Sequence, residues 1–249
     1  MSNLDQQQSD EVAWRPAFVH ALVLCIVAWL ILEVVALLLG MAVVGRHGGG
    51  AIQGWDDTVE QWIIHHRTSM VGVSKIIAVV GDAALLGVIV LVGTVILLLL
   101  RQGMRAFIPL AAYIGGEALV YATRQIVHRH RPLTANFPAP HAIRGVHETS
   151  YSYPSGHATA AVAVLVSLAA LAVMTWPTIW GWIVCVFLVL GAAFVAWSRL
   201  VLGVHWFSDV AFGMLLGIPW GLTVAHALRD LPWPLCRLNP DRELPTAET

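Results

Sequence analysis

Three short polar blocks interrupt an otherwise apolar chain: RQIVHRHRP at 124–132, PSGH at 154–157 and SRLVLGVHWFSD at 198–209. From them come Arg124, Arg131, Arg199, His157, His205 and Asp209. Guanidinium groups hold phosphoryl oxygens through paired hydrogen bonds. A neutral imidazole is a nucleophile. These groups are what a site needs to grip a phosphoryl group and attack it.

Each block has its own logic and its own plain alternative. In PSGH, a turn precedes an apolar run that starts at His157. Backbone N–H groups at a helix start bind phosphate, Gly156 allows close approach and Ser155 adds a hydroxyl; an ordinary helix cap explains the tetrapeptide as well. In S-R-x5-H-x3-D, His205 and Asp209 are spaced i, i+4 and share a face if a helix begins early. A carboxylate on one imidazole nitrogen leaves the other free to attack, with Arg199 on the phosphoryl oxygens. The plain reading is three polar residues solvating a helix end. In R-x6-R-P, Arg124 and Arg131 lie two helical turns apart and Pro132 ends the helix. Two guanidiniums on one face suit a phosphate, and equally a lipid headgroup.

The elements that must position these blocks are membrane-length. The 249-residue chain is 58% hydrophobic and 12% charged, with net charge −1. Soluble domains carry about 25% charged residues, and a near-neutral chain offers no reason to expect nucleic acid as a partner. A spanning helix needs about 20 mainly apolar residues. Six runs fit, near 18–45, 76–100, 106–127, 158–175, 178–197 and 208–228. The expected fold is all-α and polytopic, a single membrane-embedded unit with polar tails at 1–16 and 229–249. The first run is about twice as long as a signal-peptide core, so it reads as a retained span.

Between the first two runs, Trp55, Val59, Trp62 and Ile63 recur at helical spacing, which predicts a short interfacial helix. The link at 133–153 is long and aperiodic, and a loop of that length is usually functional; a lid beside the site is expected. With six spans, both termini share one side and all three polar blocks meet on the other. Arg15, Arg101, Arg105, Arg229, Arg237 and Arg242 on the terminal side point to the cytoplasm by the positive-inside rule, set against Arg46, Arg67, Lys75, Arg124, Arg129, Arg131, Arg144 and Arg199 on the other side, several of which look functional. The site then faces outward. Trp14, Trp55, Trp62, Trp176, Trp180 and Trp206 fall near span ends, as in an aromatic belt.

Other residues carry weaker signals. Cys25, Cys185 and Cys236 form no disulfide or metal pattern. The HRH triplet at 128–130 lacks a third ligand of useful spacing. Glu33, Asp82 and Glu117 fall within apolar runs, where an acid either lines a cavity or bonds a neighbouring helix.

Order and internal spacing of the three blocks resemble the type-2 phosphatidic acid phosphatase superfamily, whose pattern is K-x6-R-P, P-S-G-H and S-R-x5-H-x3-D. The resemblance covers the whole chain and implies six spans. It implies His205 as nucleophile forming a phosphohistidine, Asp209 orienting it and His157 as general acid. It further implies Arg124, Arg131, Arg199, Ser155 and the Gly156 backbone as the phosphate cradle. Arg124 departs from the family, standing where lysine is usual. The expected substrate is a phosphorylated membrane lipid, either a phosphomonoester or a diphosphate. Candidates are undecaprenyl diphosphate, phosphatidic acid and phosphatidylglycerophosphate, hydrolysed without metal or other cofactor in a bacterial inner membrane. Phosphotransfer to another acceptor and non-catalytic lipid binding are the rival readings.

Overall fold

The computed structural model describes residues 3–44, 51–133, 141–146 and 148–231. Every regular element among them is helical. They are α1 (Asn3–Val44), α2 (Ala51–His66), α3 (Val71–Val80), α4 (Ala83–Leu99), α5 (Ile108–Ile126), α6 (Val162–Thr175), α7 (Ile179–Val201) and α8 (Phe207–Leu228). A 3₁₀ turn at Gly103–Phe107 leads into α5, and a π-helical turn at His157–Ala161 leads into α6. Five helices are long and apolar enough to cross a membrane, and α3 with α4 as one bent span makes six. Helix α1 continues through Pro16 and is helical from Asn3, so the stretch expected as an N-terminal tail belongs to the first helix. Residues 232–249, including Cys236 and most of the expected C-terminal tail, lie outside the described residues.

The second span departs from the straight helix expected over 76–100. It bends by 56° between α3 and α4, and both sides of the break are capped. Gly81 N–H donates to Ile77 O at 2.9 Å. The Asp82 carboxylate accepts from Ala84 N at 3.0 Å and Leu85 N at 3.4 Å. Asp82 is therefore a helix N-cap, which explains an acid in an apolar run. Glu33 takes the neighbour-bonding alternative, accepting from the Thr123 hydroxyl of α5 at 3.1 and 3.2 Å.

Helix α6 packs against α5, α7 and α8, and α1 lies against α5 and α8. The seam between α8 and the helix of His157 is closed by missing side chains. A Cβ on Gly217 would lie 2.4 Å from Thr159 O, and one on Gly221 would lie 2.4 Å from Ala163 O. Small residues let spans approach and gain van der Waals contact where lipid supplies no hydrophobic drive. Outward faces are greasy: Leu30, Leu38, Val88, Leu91, Phe187 and Leu190 are exposed. The chain is an integral membrane protein.

Helix α2 splits the stripe expected of it. Val59 and Ile63 pack inward with Ala158, Ala196, Leu200 and Val210. Trp55 and Trp62 stay 71% and 54% exposed. One face grips the bundle while the tryptophans point away from it.

Candidate active site

The three polar blocks meet around His205. This residue lies in the turn between α7 and α8, ahead of the helix rather than within it. Arg131 Nη1 is 3.0 Å from His205 Nε2. A guanidinium only donates, so Nε2 must present its lone pair and the neutral ring carries its proton on Nδ1. That Nδ1 faces Asp209 Oδ2 at 3.6 Å, beyond hydrogen-bond reach, and is buried with no hydrogen-bond partner. The direct carboxylate–imidazole bond expected from the i, i+4 spacing is thus absent. Asp209 instead bonds Arg129 Nη1 at 2.6 Å and accepts from Trp206 N at 3.0 Å. The reason is local: α8 starts at Phe207, so Asp209 sits in its first turn and caps it. Burial, with Arg131, Arg199 and Arg124 nearby, drives the His205 pKa well below the ordinary 6.5. The ring is therefore neutral at pH 7, the form a nucleophile requires.

Besides His205, Arg131 is held by four acceptors. It donates to Ser150 O at 2.8 Å, Val204 O at 2.7 Å, Ser150 Oγ at 3.0 Å and Tyr151 O at 3.4 Å. Burial is the main cause pulling its pKa down to about 10, and it remains a cation at neutral pH. Helix α5 ends at Ile126, six residues before Pro132. Arg124 and Arg131 therefore do not share the two-turn helical face expected of them. They converge through Ser150, whose Oγ lies 3.5 Å from Arg124 Nη1. Arg124 also donates to Pro154 O at 2.9 Å and runs past Gly156, where a Cβ would sit 3.8 Å from its Nη2. Arg199, at the end of α7, donates to Glu148 at 2.7 Å. Arg124 Nε and Arg199 Nε are buried without an acceptor. Buried donors without partners are rare, and an anion would satisfy these.

His157 opens the π-helical turn and reaches the bent span. Its Nε2 lies 3.0 Å from Ala78 O, one of the last-turn carbonyls of α3. A carbonyl only accepts, so Nε2 carries a proton. Gly81 makes this approach possible, since a Cβ there would lie 2.8 Å from His157 Cδ2. Ser155 is buried, and its hydroxyl lies 3.4 Å from Ala158 N. A cavity of about 490 Å³ spans Lys75, Asp82, Glu148, His157 and Arg199. Next to it, beyond the α3–α4 break, an apolar cleft of about 420 Å³ runs between Leu86, Val90, Leu165 and Val195.

Three residues with direct parts in this geometry carry no chemical role in the motif pattern. Arg129, which the sequence presents only within an HRH triplet, is buried between Asp56 of α2 and Asp209, at 2.6 Å from each. Its guanidinium also lies 5.4 Å from the centre of the Trp206 ring. Glu148, in the described part of the long loop, bridges Arg199 at 2.7 Å and Arg131 at 3.6 Å. The segment before it is tied down by Lys75 Nζ on Arg144 O at 3.0 Å and by Arg67 on His141 O. The described part of the loop thus lines one side of the cavity through Gly145, Val146 and Glu148, and residues 134–140 and 147 lie outside the described residues. Asp56 and Glu148 could have been suspected from charge balance. Clustered buried arginines need counter-charges, and few acids flank the predicted outward face. His128 stacks on Tyr151 with ring centres 4.4 Å apart.

Comparison with known proteins agrees with this geometry. The model of the PAP2 superfamily matches residues 105–233, more than half of the chain and all three blocks. An undecaprenyl-diphosphatase of Sulfolobus acidocaldarius is 34% identical over 129 residues, covering 50% of this chain and 56% of that protein. The chain therefore aligns with little more than half the length of that curated relative. The crystal structure of a transmembrane PAP2 type phosphatidylglycerolphosphate phosphatase from Bacillus subtilis superposes with a TM-score of 0.66 at 24% identity. It covers 80% of this chain and 94% of that one. With the family model matching more than half of the chain and the helical architecture shared with a solved member, the chain belongs to the PAP2 superfamily.

Proposed function

We propose that this chain hydrolyses a lipid phosphomonoester or diphosphate at the membrane surface through a phosphohistidine on His205. The observation that carries the reading is the His205 Nε2 lone pair lying 3.0 Å from Arg131, beside arginine donors that lack acceptors. Nε2 attacks phosphorus, the bond from phosphorus to the lipid-side oxygen breaks, and that oxygen takes a proton from Nδ1 of His157, protonated beside the bound anion, while its Nε2–H stays on Ala78 O. Water then gives a proton back to His157 and attacks the phosphohistidine, so that the P–N bond breaks, orthophosphate leaves and both imidazoles are restored. Arg124, Arg131 and Arg199 hold the non-bridging oxygens, with Ser155 and the Gly156 backbone completing the cradle. Preorganised cations aimed at developing charge supply the largest stabilisation such sites offer. They do so here without a resident metal.

A lipid substrate is supported by a polar cavity lined by Asp82 beside an apolar cleft lined by its neighbour Gly81. A charged head fits the first and a hydrocarbon tail the second. Undecaprenyl diphosphate is the favoured member of the class, with phosphatidic acid and phosphatidylglycerophosphate as the others. The site faces the extracytoplasmic side of a bacterial inner membrane in this reading. Purified protein in detergent, offered a panel of phosphorylated lipids, is expected to release orthophosphate from at least one. Labelled phosphorus should be trapped on His205 by rapid quenching. Turnover that persists in His205→Ala overturns the mechanism.

A further inference from the structure

The nucleophile's surroundings are fixed from an unexpected direction. Asp56 belongs to α2, outside all three polar blocks, yet its side chain is fully buried. Its Oδ2 meets Arg129 Nη2 at 2.6 Å and accepts the Ser208 hydroxyl at 2.6 Å. Its Oδ1 accepts Ser208 N–H at 2.8 Å. Arg129 Nη1 meets Asp209 Oδ1 at 2.6 Å and Ser208 Oγ at 2.8 Å. Gln53, one turn before Asp56, accepts from Arg129 Nη2 at 3.1 Å. Two carboxylates thus share one guanidinium, and the cluster carries net charge −1 beside His205. Asp209 has Oδ1 on Arg129, while its Oδ2 accepts from Trp206 N at 3.0 Å and lies 3.6 Å from His205 Nδ1.

We infer that Asp56 and Arg129 are positioning residues for the nucleophile, fixing Asp209, which holds the Trp206 N–H next to His205, and setting the charge felt by the ring, so that α2 is part of the catalytic apparatus. The inference rests on the phosphohistidine reading given above. Neither residue touches the phosphate cradle. Ser208 reaches α2 only through the Asp56 carboxylate, and Gln53 reaches the cluster only through the Arg129 guanidinium, so the bridge from α2 to the turn runs through ionisable groups. Buried ion pairs are costly to assemble, and this one sits where its charge acts on the reacting ring.

The test reads charge rather than folding. Charged and titratable groups facing His205 are Arg124 from the end of α5, Arg131 beyond it, His157 from the π-turn and Arg199 from α7, with Asp209 from α8. None of these changes in the variants below. Asp56→Asn takes the cluster from −1 to 0 and disfavours the imidazolium, so the acidic limb of kcat/KM moves to lower pH. Arg129→Gln takes it from −1 to −2 and moves the limb to higher pH. Ser208→Ala keeps every charge and is expected to lower kcat several-fold with the limb in place.

Rates are measured on phosphatidic acid and on farnesyl diphosphate in detergent micelles, using whichever turns over faster; the substrate's own ionisation is common to all variants. Opposite shifts of about half a unit or more, with kcat falling about 10-fold and KM nearly constant, are expected. Shifts of one sign, or none, overturn the inference, as does a loss that only follows the amount of folded protein. Should Arg129→Gln not fold, a limb in Asp56→Asn that fails to move downward is decisive alone. An active His205→Ala would instead sink the underlying mechanism; an inactive one beside an unaltered Asp56→Asn sinks only the inference.

Discussion

Arg129 and Arg131 stand two residues apart and meet opposite fates. Arg129 is sealed between two carboxylates, with no charge left to offer a ligand. Arg131 spends its donors on backbone carbonyls, one serine hydroxyl and the nucleophile, and its nearest acid is a loop glutamate at 3.6 Å. The two flanks of His205 differ accordingly. The flank toward α2 is closed by buried pairs whose removal costs about 3–5 kcal/mol each. The flank toward α3 opens into the cavity, and the carboxylate bridging its arginines keeps a side chain 34% exposed. A site that must bind and release an anion needs strong fixed charge on one side and exchangeable charge on the other.

Several perturbations break or sharpen this contrast. Replacing His205 with alanine removes the group both flanks serve and is expected to cost at least about 10³-fold in kcat, measured as orthophosphate release. On the open flank, Arg199→Lys keeps the charge but loses the planar fork, and about a 10²-fold fall in kcat/KM is expected. A fall no larger than that of a surface arginine would show that Arg199 does not hold phosphate. Glu148→Gln removes the exchangeable counter-charge. Inhibition by orthophosphate should tighten about 3- to 10-fold, and weakening would show that Glu148 does not compete with the anion.

Acidity separates the flanks in another way. His205 is held neutral because burial and three cations depress its pKa well below 6.5. Protonation silences the nucleophile, so its acidic limb in kcat/KM lies well under 6.5 and a limb above that value contradicts the assignment. The smallest effect is expected from Arg124→Lys, which restores the family's usual residue at a position bonded chiefly to Pro154 O. A change of less than about 3-fold in kcat/KM is anticipated.

The contrast also explains what the chain disclosed before its structure was known. Residues of the open flank sit in short blocks whose internal spacing is chemical and local. His205 with Arg199, or Ser155 with His157, can be read in one glance along the sequence. The closed flank is built across long separations: Asp56 meets Arg129 over 73 positions, and Arg129 meets Asp209 over 80. No periodicity within either segment encodes that pairing. Glu148 was hidden likewise, reaching Arg199 over 51 positions from a loop with no repeating pattern.

Spans were legible because hydropathy is a property of composition. The bend in the second span was not, because two apolar helices in succession read as one apolar run. A signal was nonetheless present in Gly81–Asp82, the stop-and-cap pair that ends one helix and begins another. The helical register of Arg124 and Arg131 failed for a related reason. Spacing says which face two residues would share on a helix, and nothing in the spacing showed that α5 stops at Ile126.

The glycines of α8 carry a consequence for traffic. With Gly217 and Gly221 pressed onto the carbonyls of Thr159 and Ala163, the helices bearing Asp209 and His157 are zipped like a closed spine. Cargo cannot slip in between them without prising apart the backbone. The elbow between α3 and α4 has no such zip, and it borders both the polar cavity and the greasy cleft. In the proposed reading, a tailed molecule would come and go by way of that elbow.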